Sequence, residues 1–389
     1  MTTEDRWQLP DGVEEVLPPQ AACVERLRRQ LLDLYRSWGY QLVIPPLIEY
    51  TESLLIGLGA DIDLLTFKMT DRLSGRTLGV RADITPQVAR IDAHSLAQQG
   101  VARLCYAGSV LHTSPKTPMA SRSPLQIGVE LYGDNSPAAD VEVIRLMLET
   151  LDRAGLSELC LDLGHVGIYK AVLATAALSQ EQERVVFEAL QRKSVPDLRL
   201  ALAGVEEQVA AMIIALVDLH GDDQVLSDAR KLLHEKAPSA LPAVDALEDV
   251  ATIVRGLRPQ LKVYFDLAEL RGYHYHTGIV FAAYVPGHGQ ALANGGRYDG
   301  VGAVFGRTRS ATGFATDLKA LIAMMPVEST GPGAISVPIS DDRLLQGRAD
   351  ELRAQGEIVI NSLFGEVDPR CDRELVQEHD QWIVKSVKH

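Results

Sequence analysis

Apolar positions along the chain alternate between two periods, and the switch between them predicts the elements. From Gln20 to Trp38, the residues Val24, Leu27, Leu31, Leu34, Tyr35 and Trp38 recur at helical spacing, and Gly39 supplies a stop. Tyr40 to Ile44 is a short apolar run closed by Pro45-Pro46, which reads as an edge strand. Leu64–Thr70 and Thr77–Arg81 flank a polar Asp71-to-Arg76 turn and predict a hairpin. Thr85-Pro86 opens a helix, with threonine as a capping residue and proline at the first turn. Arg103–Leu111 and Leu125–Gly133 predict two strands joined by His112–Pro124, a proline-containing loop expected to be exposed and mobile.

Further on, Ala138–Ala154 predicts a helix and Glu158–His165 a strand. Residues 167–255, rich in Ala, Leu, Glu and Gln, predict a helical insertion. Strand patterns return at Leu261–Asp266, Gly278–Tyr284 and Ala291–Asn294, and Ser310–Met325 predicts a closing strand and helix. Pro326–Gly333 reads as a linker, which sets the expected boundary between a 1–325 core and a 326–389 unit. That unit is expected to hold strands near Ala334–Pro338, Glu357–Ile360 and Trp382–Val387 and a helix near Arg343–Gln355. Many strands joined by short turns, with helices grouped between them, predict an α+β fold built on an antiparallel sheet.

Composition adds exclusions. At 46% apolar and 23% charged, the 389 residues have an ordinary globular balance, and no apolar run approaches the roughly 18 residues of a spanning helix. The polar, acidic Met1–Asp11 stretch shows no leader pattern, and the four scattered cysteines fit neither a metal nor a disulfide framework, so a cytoplasmic location is expected. A net charge of −14 argues against a nucleic-acid partner without ruling out a local basic patch.

Four polar segments are candidates for chemistry. Arg81 and Asp83 alternate towards one face, with Thr85 following; they form either an ammonium site or a buried ion pair with a helix cap. Gln126, Gly128 and Glu130 share one strand face, which either holds an α-amino group or faces water. Arg271-Gly272-Tyr273-His274-Tyr275-His276 offers a guanidinium for a carboxylate and a phenol for a ring nitrogen, unless its aromatics only pack the core. His274 and His276 lack further ligands at zinc spacing, so no metal and no cofactor is expected. Gly295-Gly296-Arg297-Tyr298-Asp299 is a glycine turn that permits close backbone approach.

In order and spacing across residues 10 to 325, these segments resemble histidyl-tRNA synthetase. The resemblance implies a class II aminoacyl-tRNA synthetase fold with a histidine pocket at Asp83, Thr85, Gln126, Glu130, Arg271, Tyr275 and Tyr298. Asp83 stands where that family has glutamate, and His276 where it has a second tyrosine. The departures cluster where the family binds ATP: His112 and Ala320 replace arginines, Ser114 a glutamate, and Pro124 an adenine-stacking aromatic. The segment after Pro326 is short for an anticodon-binding domain. This combination resembles the non-catalytic paralogues that serve as regulatory subunits of ATP phosphoribosyltransferase, the first enzyme of histidine biosynthesis. That resemblance implies no catalytic residue in this chain, a short-form catalytic subunit as partner, and histidine as feedback effector. It also implies dimeric self-association within a hetero-oligomer. An active synthetase and a free histidine-binding module are the alternatives.

Overall fold

The computed structural model describes residues 7–55, 60–117, 120–270, 272, 275–325, 333–363 and 366–387, with backbone only at 60 and 61. All of the expected linker except Gly333, and three members of the 271–276 segment (Arg271, Tyr273 and His274), therefore lie outside the described residues. The chain divides into two compact units, Met1–Met325 and Pro326–His389.

In the first unit, strands β1 (Gln41–Leu42), β2 (Ile48–Tyr50), β3 (Phe67–Thr70) and β4 (Thr77–Val80) precede β5 (Ala102–Ser109), β6 (Leu125–Tyr132) and β7 (Cys160–His165). They are followed by β8 (His220–Gly221), β9 (Lys262–Asp266), β10 (Ile279–Tyr284), β11 (Ala293–Arg297) and β12 (Ala311–Asp317). Nine of these form one sheet in the order β1-β5-β6-β12-β11-β10-β7-β9-β8, while β2-β4-β3 make a separate antiparallel sheet. The large sheet is antiparallel through its centre, from β5 to β7. At its flanks the expected antiparallel sheet is joined by two parallel pairs, β1–β5 and β7–β9. The physical reason is connection length: parallel neighbours need a long crossover, and the helical stretch between β7 and β9 is one.

The helix Gln20–Ser37 forms where the apolar spacing predicts and buries Val24, Leu27, Leu31, Leu34 and Tyr35. The chain then turns at Gly39, whose φ of +84° favours glycine. This helix and Pro137–Arg153 cover one sheet face, against Ile127, Val129, Leu131 and Phe314, in a core that continues into the inserted helices. The insertion is helical at Gln180–Gln191, Glu207–Ala215, Gln224–Leu233 and Leu241–Leu257, and the first of these begins in a Ser179/Gln182 capping box. Its short strand β8 joins the end of the main sheet beside β9.

Two local expectations need correction. The β5–β6 connection is less open than expected: Val110 N donates to Pro124 O (3.1 Å) and His112 N to Arg122 O (2.8 Å), which prolongs the hairpin. Only residues 114–116 are exposed in the described part of its tip, and His112 is buried. In the second unit, β13 (Ala334–Pro338) and β14 (Val359–Ser362) are joined by β15 (Cys371–Glu378) and β16 (Gln381–Ser386) in the order β14-β13-β15-β16. Strand β15 is an addition to the expected elements, because Asp372-Arg373-Glu374 after its first residue breaks the apolar alternation. The sheet packs on Arg343–Ala354 through Ile335, Val337, Leu345, Leu352 and Leu375.

Candidate functional site

The exposed-side face of the central sheet is cleared by small residues. Paired across neighbouring strands are Glu130 with Gly313 and Gly313 with Gly296, and, one step along, Tyr106 with Gly128, Gly128 with Ala315 and Ala315 with Asn294. A Cβ on Gly313 would overlap the Glu130 carboxylate, and one on Gly128 would stand 2.6 Å from the Tyr106 hydroxyl. Glycine at these two positions makes room for the side chains opposite them. The result is a cavity of about 1290 Å³, larger than the roughly 300–1,000 Å³ typical of small-ligand pockets.

Asp83, Thr85, Gln126, Glu130, Tyr275 and Tyr298 all line this cavity, so the described sequence candidates converge from three distant stretches of chain. Arg271 lies outside the described residues, although Gly272 beside it is part of the lining. Asp83 Oδ1 accepts from Gln126 Nε2 and from Thr85 N, both at 2.9 Å. Gln126 Oε1 accepts from Ile84 N at 2.9 Å, which fixes the amide's orientation. The expected threonine cap is corrected here. Thr85 is the first residue of the helix Thr85–Arg90, and Asp83 takes its free N–H, while the Thr85 hydroxyl lies 3.1 Å from that of Tyr106. Arg81 does not pair with Asp83. Its guanidinium, buried behind the site, donates to the carbonyls of Ser109 and Pro45.

Glu130 is 1% exposed and is the electrostatic centre of the lining. It accepts from the Tyr106 hydroxyl at 3.1 Å and from Tyr298, whose hydroxyl is 3.2 Å from that of Tyr132. Burial pushes the Glu130 carboxyl up to about 8, against the hydroxyl donors Tyr298, Thr85 and Tyr106, which favour its charged form. The Tyr275 ring meets Tyr298 edge-on at 6.2 Å and stacks obliquely on His276 at 4.1 Å. Tyr106 and Tyr132 were missed by sequence reasoning. Their signal is cross-strand register, which a single strand's pattern does not carry.

The rest of the cavity is acidic. Glu14, Glu15, Asp162, Glu269 and Asp317 join Asp83 and Glu130 in the lining, against Lys116 and Lys319, and no arginine lines it among the described residues. Lys319 is already engaged by Glu14 (3.3 Å) and Ser123 (3.2 Å), and Arg122 donates to the carbonyls of His112 and Asp11. His112, Pro124 and Ala320 line the cavity, while Ser114 is not among the lining residues. Burial, with Lys116 nearby, lowers the His112 pKa, so the ring is neutral at pH 7 and supplies no cationic charge for an anion. Among the described residues, no group of three or more metal-type ligands comes together.

Residues 12–321 match the histidyl-tRNA synthetase family model, and residues 332–385 match the ATP phosphoribosyltransferase subunit HisZ C-terminal domain. A regulatory subunit of ATP phosphoribosyltransferase from Pseudomonas savastanoi pv. phaseolicola is 53% identical, with 99% of each chain covered. This chain belongs to the ATP phosphoribosyltransferase regulatory subunit family. Among solved structures, a regulatory subunit/histidyl-tRNA synthetase from Bacillus halodurans is 28% identical with a TM-score of 0.83, covering 94% of this chain and 95% of that one. A histidyl-tRNA synthetase from a Nostoc species, 20% identical with a TM-score of 0.76, covers 95% of this chain and 91% of its own, and shows the shared fold. Both halves of the expected architecture, the class II synthetase-like sheet and the small C-terminal unit, are those of this regulatory subunit family. Among the described residues, no helix is long and apolar enough to cross a membrane.

Proposed function

We propose that this chain is a non-catalytic regulatory subunit of ATP phosphoribosyltransferase that binds histidine in the cavity of the central sheet. It sets the activity of a short-form catalytic subunit in the first step of histidine biosynthesis. One observation carries the reading: the face bearing Asp83, Gln126, Glu130 and Tyr298 is assembled, while the rest of the cavity is acidic and lined by no arginine among the described residues. An α-ammonium suits such a lining, and a triphosphate does not. Each missing charge-stabilising donor costs about 10² to 10³ in rate, so two lost arginines lower adenylation by roughly four to six orders of magnitude. Names of close relatives support the partner, since they are regulatory subunits of that enzyme.

Regulation follows from differential binding. Docking of this chain favours an active arrangement of the partner, and histidine favours a less active one, with a coupling of about 1–3 kcal/mol. Dimeric self-association belongs to the same reading. The run Leu42, Ile44, Leu47 and Ile48 offers exposed apolar surface for it, and no nucleic-acid partner is included. The test is phosphoribosyl transfer by the purified catalytic subunit, alone and with this chain, over a histidine titration. The expected result is stimulation by the chain and loss of that stimulation as histidine rises. No change in either rate or sensitivity refutes the proposal.

A further inference from the structure

Glu130 stands among hydroxyls that suit it in either protonation state. Among the described residues, its hydrogen-bond partners are the phenols of Tyr106, at 3.1 Å, and Tyr298, and no lysine, arginine or histidine bonds to it. Each phenol also faces a second hydroxyl: Tyr106 that of Thr85 at 3.1 Å, and Tyr298 that of Tyr132 at 3.2 Å. With the carboxylate charged, both phenols donate to it. With the carboxyl protonated, it donates to one phenol, which turns its own proton to the hydroxyl behind it. Neither state strands a buried polar atom, so charge decides between them. Around Glu130 stand Tyr106 from β5, Tyr132 from its own strand, Gly313 opposite on β12, Tyr275 and Tyr298, and Asp83 ahead of the helix Thr85–Arg90. Arg309, behind Tyr132, is held by Asp92 at 2.7 Å. Burial, and then the negative charge of Asp83, disfavour the ionised form of Glu130. Asp83 itself is only half-buried and lines the cavity.

We propose that the cavity takes up its amino acid in exchange for a proton. The α-ammonium settles at Asp83, Glu130 ionises, and the proton leaving its carboxyl passes to solvent. This rests on the reading that the cavity holds histidine, and it adds a regulation of that site. The ligand need not touch Glu130. The Asp83 charge already reaches it, so an ammonium at Asp83 cancels that repulsion and adds an attraction, which in a buried site acts over several ångströms. The hydroxyl network adjusts by turning O–H protons alone. Histidine affinity therefore rises with pH towards the folded value of the carboxyl, about 8, and levels above it. Between about pH 6.5 and pH 7.5 the gain is roughly five- to ten-fold.

The test is isothermal titration of the full chain with L-histidine at about pH 7 in two buffers of different ionisation enthalpy, which counts the protons exchanged on binding. The wild type is expected to release about one proton per histidine more than Glu130→Gln does. Histidine bound by the wild type with no more release than by the variant overturns the exchange. If the glutamine variant does not fold, infrared difference spectra of the wild type decide. The carboxylic-acid C=O band should fade and a carboxylate band appear on adding histidine, and an unchanged acid band overturns the exchange. Affinities from the same titrations separate the two claims. Weakened binding in Glu130→Gln beside a wild type that releases no proton removes only the proton exchange, whereas full affinity in Glu130→Gln removes histidine from this cavity altogether.

Discussion

Glu130→Gln is expected to weaken histidine binding by at least about thirty-fold, because removing one partner of a buried charge pair costs about 2–5 kcal/mol. Glutamine keeps the volume that Gly313 leaves free, and the loss therefore reports charge rather than packing. A bound cationic or ring N–H group favours the ionised carboxylate, which the two phenols already stabilise. Without a ligand the same burial works against the fold. The carboxyl is raised in the folded chain to about 8, so its contribution is fully present below the unfolded value and is lost as pH rises through the folded one. The melting temperature of Glu130→Gln relative to the unliganded wild type should therefore climb between about pH 5 and pH 8 and then level. Calorimetric titration and melts across that range check both parts. Unchanged histidine affinity would move the site out of this cavity.

The second large effect is expected at Arg297, which adjoins the pocket without lining it. Its guanidinium donates to Asp140 Oδ2 at 3.1 Å and to the carbonyls of Asp134 and Ser136, tying β11 to the start of the helix Pro137–Arg153. Both Arg297 and Asp140 are buried. Burial raises the Asp140 pKa and outweighs the attraction of Arg297, so the pair is costly to hold. Breaking it is costlier. Arg297→Met leaves a buried carboxyl without its partner, at a cost of about 3–5 kcal/mol, which for a unit of this size lowers the melting temperature on the order of 10 °C. The double variant Arg297→Met/Asp140→Asn should regain part of that loss, since it removes the stranded charge. A single-variant drop below about 2 °C would show that the pair does not anchor the turn carrying Tyr298.

Much of this was legible in the chain because it is local. Helical spacing from Val24 to Tyr35 marks one buried stripe, and the period of two places Gln126 and Glu130 on one face. What escaped depends on contacts between segments. Tyr106 reaches Glu130 only because glycine stands opposite it at position 128, and register is set by the sheet as a whole. Arg81 and Asp83 diverge because β4 ends at Val80 and the alternation of a strand does not continue past it. The setting of His112 was hidden for a similar reason, since its ring is held by the carbonyl of Ala82, thirty residues away.

Histidine-dependent exchange of pyrophosphate into ATP by the purified chain tests the central claim most directly. A cavity that accepts an amino acid but cannot grip a triphosphate predicts no exchange above background at any histidine concentration. Exchange at the rate of an authentic synthetase would contradict it.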